Sequence, residues 1–219
     1  MATTEELQIL AAQLACPTGD QGYSIGKMMD ETNIGMTRHC MQALELHLHK
    51  NVLEIGHGNA GHVSALLAKH PHICYTGLEL STCMWREAIQ NNQQAVDEGA
   101  AHFVHYDGHD VPFRVRRFDC IFSVNTLYFW TEPRIFLEKL GQLLTKHGKI
   151  ALCFADASFM RQLPFTAFGF QLYGLHDVLA LANPKTFKHC CTMPDKEQVK
   201  NKLGAVVERK FYTVIWEKI

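Results

Sequence analysis

The chain has no run of about 18 apolar residues, the length a helix needs to cross a bilayer, so no membrane-spanning helix is expected. Its eight cysteines, at 16, 40, 74, 83, 120, 153, 190 and 191, include no C-x-x-C pair, which speaks against a zinc site or a disulfide frame. Cys74, Cys120 and Cys153 sit in apolar runs and read as small buried residues of a reducing, cytoplasmic protein. Neither charge sign is in surplus: 21 Lys and Arg stand against 22 Asp and Glu, leaving no basic field for nucleic acid and no acidic tail. Met1 to Leu10 is polar and acidic where a signal peptide would be basic and then apolar. Repeats and low-complexity linkers are missing too.

What is present suffices for one full core: 219 residues, 47% of them hydrophobic. The stretch that organises them is Asn51-Val52-Leu53-Glu54-Ile55-Gly56-His57-Gly58-Asn59-Ala60-Gly61-His62-Val63, an apolar strand breaking into a glycine-rich turn and then a helix. Gly56-x-Gly58-x-x-Gly61 lets the backbone approach a ligand closely and aims free amides of the helix start at it. The match alone fits any nucleotide-binding α/β unit.

Before this stretch, residues 1–50 read as a helical cap packed on a single domain formed by residues 51–219. Thr3 and Glu6 form a capping box opening a helix over about 4–15, closed by Pro17-Thr18-Gly19. Ser24 is expected to cap a short turn ending near Met29, and Asn33 a longer helix with Met41, Leu44 and Leu48 on one face. Such a segment either folds over the ligand crevice or simply packs on the sheet edge.

Beyond it, strands are expected at 73–79, 102–106, 118–124 and 149–155, separated by helices. Lys69-His70-Pro71 ends the first of these helices. Ser81 or Thr82 caps the second, through about Glu98, with Trp85, Ile89 and Val96 on one side. Thr131 is expected to cap the third, and Lys146-His147-Gly148 to close it. Alternation of this kind implies right-handed crossovers and a doubly wound, mostly parallel sheet. Phe187 to Met193 and Val206 to Trp216, around a turn near Lys202-Leu203-Gly204, lack an intervening helix and should add an antiparallel C-terminal hairpin, giving seven strands.

Glu79 ends the second strand beside the expected crevice, where a carboxylate can accept hydrogen bonds from both hydroxyls of a ribose. With Val-Leu-Glu54-Ile-Gly56-x-Gly58, Glu79, Tyr106-Asp107-Gly108 and Phe118-Asp119-x-Ile121 followed by Asn125 to Trp130 in order, the chain resembles the class I S-adenosylmethionine-dependent methyltransferases. The likeness is to the type 11 subgroup that includes the ubiquinone and menaquinone C-methyltransferases. The resemblance covers about Asn51 to Phe154 and implies a Rossmann-like fold, S-adenosylmethionine as cofactor and S-adenosylhomocysteine as product. It implies cofactor contacts from Glu54, Gly56, His57, Gly58, Asn59, Glu79, Leu80, Asp107, Gly108 and Asn125, with Asp107 meeting the adenine amino group. The family usually has a third glycine where this chain has Ala60; a negative φ at that position would make alanine harmless.

Methyl transfer is an in-line displacement with an activated leaving group, so the protein mainly aligns donor and acceptor, and a base is needed only for an acceptor that must lose a proton. The acceptor is expected to be a small apolar or aromatic molecule bordered by Tyr128, Trp130 and Phe165. His39, His57, His109, Tyr128 and His176 are the candidate bases. His102 and His105 fall on opposite faces of a strand and with His109 are not read as a metal site. An NAD-dependent oxidoreductase and a non-catalytic S-adenosylmethionine-binding module are the alternatives.

Overall fold

A computed structural model describes residues 2–200 and 206–219. Eight helices alternate with or precede seven strands: α1 (Thr4–Ala15), α2 (Gly19–Ala43), β1 (Asn51–Ile55), α3 (Val63–Lys69), β2 (Cys74–Glu79), α4 (Thr82–Asn91), α5 (Gln93–Asp97), β3 (Ala101–His105), β4 (Phe118–Val124), α6 (Pro133–Leu143), β5 (Leu144–Ala155), α7 (Ala157–Met160), α8 (Leu175–Leu179), β6 (Phe187–Lys200) and β7 (Val206–Lys218). The strands form one sheet in the order β3-β2-β1-β4-β5-β7-β6, with β1 to β5 parallel and β7 antiparallel to both of its neighbours. Chain order reverses between β1 and β4, and a crevice opens beyond their carboxyl ends. The doubly wound reading and the terminal hairpin hold; the expected turn at Lys202-Leu203-Gly204 lies outside the described residues.

Alternation along β1 builds the core on both faces. Leu53 and Ile55 enter one apolar cluster with Phe154, Trp216 and the inner face of α6, while Val52 enters the other with Tyr75, Phe122 and Phe211. Glu54 shares the face of Val52 and is buried by that placement.

The N-terminal helices depart from expectation. α1 begins on its capping box, Thr3 N donating to Glu6 Oε2 at 2.7 Å and Glu6 N to Thr3 Oγ1 at 3.2 Å. α2 is one unbroken helix of 25 residues, with no cap at Ser24 or Asn33. Ser24 is exposed on its surface, and the Asn33 side chain is engaged elsewhere. Gly22 and Gly26 let α2 lie against α4, where a Cβ on Gly22 would meet Cys83 Sγ at 2.8 Å. α2 ends at Ala43, so Leu44 is buried as its cap while Leu48, 64% exposed, leaves the expected face.

Ser81 caps α4, as Met84 N donates to its Oγ at 3.2 Å. The helix breaks at Asn92, whose buried amide donates to the carbonyls of Ala60 and Ala88. Its buried positions are Met84 and Ala88 rather than Trp85 and Ile89, because the Trp85 indole turns to donate to the Phe103 carbonyl at 3.0 Å. Thr131 does not cap α6, which starts on Glu132 with Pro133 in the first position, where its missing N–H costs nothing. Lys146-His147-Gly148 lies inside β5, in an irregular stretch where pairing with β4 shifts register, and His147 takes a φ of 63°.

Candidate active site

β1 and β2 end in step, Ile55 beside Leu78, so the turn after β1 and the carboxylate at the end of β2 meet. Gly56 N donates to Leu78 O at 2.7 Å, and Gly58 N donates to Glu79 Oε2 at 2.9 Å. The other Glu79 oxygen accepts from Ser81 N at 2.9 Å. Gly56 and Gly58 both have positive φ, and a Cβ on Gly58 would meet nothing within 4 Å. The turn therefore presents open backbone to a cleft of about 1020 Å³.

Ala60 was expected at negative φ; it has a φ of 52°. The turn is held there from within and from outside: Ala60 N donates to His57 O, while Asn92 Nδ2 donates to Ala60 O and Asn91 Nδ2 to Asn59 O. The left-handed conformation costs a residue with a Cβ roughly 1–2 kcal/mol, which these bonds and burial of the methyl offset.

Beneath the turn lies a buried charged group. Glu54 Oε2 accepts from Tyr75 Oη at 2.5 Å and from His62 Nε2 at 2.8 Å. Burial pushes the Glu54 carboxyl up, but the charge and hydrogen bond of His62, aided by Tyr75, leave it below its ordinary value. Burial acts on His62 in the opposite sense and is overcome by Glu54, so His62 is raised and the two form an ion pair. Glu79 has no such partner. Burial lifts it to about 7, against the backbone amides of Ser81, Gly58 and Leu80. His57 is pushed by burial down to about 4; its Nδ1–H donates to Gly58 O, and Nε2 is buried without a partner among the described residues.

Of the residues expected at a cofactor, Glu54, Gly56, His57, Gly58, Asn59, Glu79, Leu80, Gly108 and Asn125 line this cleft, as does Trp130. Asp107 does not. It is exposed, and its carboxylate accepts from the amides of His109 and Asp110, both at 2.8 Å, within its own loop. Tyr128 and Phe165 line a second chamber of about 580 Å³. Leu14, Met29, Asn33, Asn125 and Phe129 border both spaces.

The Tyr128 hydroxyl is pinned in this wall: it donates to Asn125 Oδ1 at 2.9 Å and accepts from Ala155 N at 2.6 Å. Burial raises its pKa. Three of the proposed bases lie on neither space. His39 meets Asp195 at 3.2 Å and packs on Phe211, and His109 and His176 are exposed.

Sequence reasoning missed the contribution of the N-terminal helices. Asp30 and Asn33 of α2 reach the cleft, and burial raises the Asp30 carboxyl, with Glu31 and Glu54 adding to the effect against His62. Asn33 carried a signal, a polar residue in an otherwise helical run, but it was assigned to a cap. Arg209, on β7, carried none; it is nearly buried and lines the second chamber.

Among the described residues no helix is long and apolar enough to cross a membrane, and no group of three or more His, Cys, Asp or Glu could hold a metal ion. Residues 53–152 match the family described as "Methyltransferase domain". A fatty-acid O-methyltransferase of Mycolicibacterium smegmatis is 28% identical over 99 residues, 45% of this chain and 35% of that protein, so the match spans about a third of the relative's length. A structure assigned as a sarcosine dimethylglycine methyltransferase of Galdieria sulphuraria superposes with a TM-score of 0.67 at 12% identity, covering 84% of this chain and 85% of that one. The 4+2 cyclase SpnF superposes with a TM-score of 0.65 at 12% identity, covering 84% and 80%. At such identities the structures establish a shared fold and nothing about the reaction.

Proposed function

We propose that the chain is a class I methyltransferase that uses S-adenosylmethionine, a reading supported by the family match over residues 53–152, and that it methylates a small molecule with an apolar body. The observation that carries this reading is the pair of adjoining spaces. A cleft with open glycine backbone and a buried carboxylate shares Asn33, Asn125 and Phe129 with a neighbouring chamber walled by Phe159, Met160, Leu163, Phe165 and Phe170.

The cleft fits the cofactor on two counts. Gly58 leaves a cradle that a side chain would fill, and Glu79 is a desolvated carboxylate in want of further donors. When bound there, S-adenosylmethionine supplies a methyl group already activated by a positively charged sulfur. Glu79 accepts from the ribose hydroxyls, and its ionised form is the better acceptor. Leu80, Tyr106 and Gly108 flank the base, while Asp107 shapes the loop that carries Gly108. Asp30, the Glu54–His62 pair and the Gly56–Asn59 backbone surround the amino-acid end. α1 and α2 form the cover: Leu14 and Met29 close both spaces and keep water from the transfer.

The NAD alternative is disfavoured by the sheet. Dinucleotide-binding domains continue with a parallel strand after β5, whereas here an antiparallel β7 takes that place. Calorimetric titration with S-adenosylhomocysteine and with NAD tests the assignment, and binding of NAD alone refutes it. Because a cyclase shares the fold, transfer of a labelled methyl group to an acceptor is the second measurement required.

A further inference from the structure

The chamber beside the cleft is apolar over most of its wall and polar at one place, and that place offers donors. Asn33 Oδ1 accepts from Asn125 Nδ2 at 3.1 Å and from Arg209 Nη1 at 3.1 Å. Two donors on one oxygen fix which way the amide points, since its nitrogen could not replace that oxygen as acceptor. The Asn33 amide nitrogen is left with no acceptor among the described residues, at a position bordering both spaces. Arg209 is oriented in turn by Glu197, to which Nη2 donates at 2.6 Å and Nε at 3.2 Å, and by the Thr32 carbonyl, to which Nη2 donates at 2.6 Å. A guanidinium has five N–H groups, so with these bonds and the one to Asn33 a single N–H of Nη1 has no acceptor among the described residues.

The same chamber has no base among its described residues. Among the described residues lining it there is no Asp, Glu, His or Cys, and the Tyr128 hydroxyl is spent on Asn125 and Ala155. An alcohol, phenol or thiol would have to lose a proton during methylation, and an aliphatic amine would arrive protonated. No described residue of the wall takes either proton, and Arg209 and Lys200 in the lining disfavour a cation. An ionised carboxylate needs no base and matches the free donors.

We propose that this chamber takes an apolar monocarboxylate, anchored by the Asn33 amide and Arg209, and that the product is its methyl ester. A carboxylate oxygen forms a bond to the methyl carbon as the carbon–sulfur bond breaks, and the electron pair of that bond stays on sulfur. Anion and sulfonium cancel, giving a neutral ester and a thioether, and no proton moves. This assignment rests on the methyltransferase reading above and narrows its acceptor to one chemical class.

The test uses octanoate, octylamine and 1-octanol, titrated calorimetrically into the full chain saturated with S-adenosylhomocysteine, followed by mass spectrometry of products formed from S-adenosylmethionine. Octanoate should bind at least about tenfold more tightly than the amine or the alcohol, and methyl octanoate should form. Asn33→Asp, which keeps the acceptor for Arg209 but turns a repelling charge on the ligand, should weaken octanoate by about thirtyfold or more. Asn33→Leu should also weaken it, with S-adenosylhomocysteine binding reporting in both variants that the chain is folded. Preference for octylamine or octanol, or unchanged octanoate affinity in both variants, overturns the carboxylate assignment and leaves the methyltransferase reading standing. Failure of the wild-type chain to bind S-adenosylhomocysteine overturns both.

Discussion

Replacing Glu79 by glutamine tests the central feature of the cleft in a way that separates charge from hydrogen bonding. The carboxyl is lifted from 4.5 to about 7, mainly by burial. A carboxyl raised on folding takes up a proton in that interval. Its favourable contribution is therefore complete below about 4.5 and lost as pH climbs through about 7. Linkage then predicts that the free protein loses about 2.5 kcal/mol of stability from this group alone between about pH 5 and about pH 8. Glutamine cannot titrate. It also offers one acceptor where Gly58 N and Ser81 N need two, an unmade bond costing about 1–3 kcal/mol at any pH. Urea unfolding of wild type and Glu79→Gln at both pH values isolates the charge, since the lost bond cancels in the difference. The variant should gain about 2.5 kcal/mol relative to wild type on going from about pH 5 to about pH 8. A gain below about 1 kcal/mol would show that Glu79 is well solvated or already paired, and the account of a carboxylate waiting for donors would fall. Ligand binding should run the other way. If ribose hydroxyls donate to the ionised form, wild-type affinity for S-adenosylhomocysteine drops about tenfold per pH unit below about pH 7, and Glu79→Gln binds weakly with a flat profile.

Gly58→Val should abolish detectable S-adenosylhomocysteine binding in calorimetry, a loss of about a hundredfold or more, because the side chain both enters the cleft and dislikes the positive φ. Tyr75→Phe removes a buried donor from Glu54 and should cost about 1–3 kcal/mol in chemical unfolding; a loss below about 0.5 kcal/mol would deny the bond its place in the ion-pair group. Ala60→Val should lower the melting temperature by several degrees, on the order of 2 kcal/mol, since branching at Cβ aggravates the left-handed strain, and an unchanged melting temperature would contradict the φ of 52°.

Much of this was legible in the sequence because it is local. The run from Asn51 to Val63 encodes strand, turn and helix in consecutive residues, and Glu79 follows from the strand that pairs beside it. Errors arose where a residue's partner is distant. Asn33 looked like a cap because cap-forming chemistry and long-range hydrogen bonding use the same amide; only packing of α2 on β4 and β7 shows that Asn125 and Arg209 claim it. Ala60 was assigned the φ its side chain prefers, whereas carbonyl contacts from Asn91 and Asn92, about 30 residues away, impose another. Asp107 is a separate case, its family position untouched by a distant partner: its Oδ1 accepts from two amides of its own loop.

The position of β7 between β5 and β6 sets an order on biosynthesis. β6 leaves the ribosome first, but its own partner is absent until β7 has been made and has docked on β5. Every described residue lining the glycine-turn cleft lies at or before Trp130, whereas the second chamber draws on Val199, Lys200 and Arg209. A nascent chain therefore holds the described lining of the first space before it has Arg209 of the second. Long-range pairing of this kind closes slowly, and until it does β5 shows an open edge to neighbouring chains.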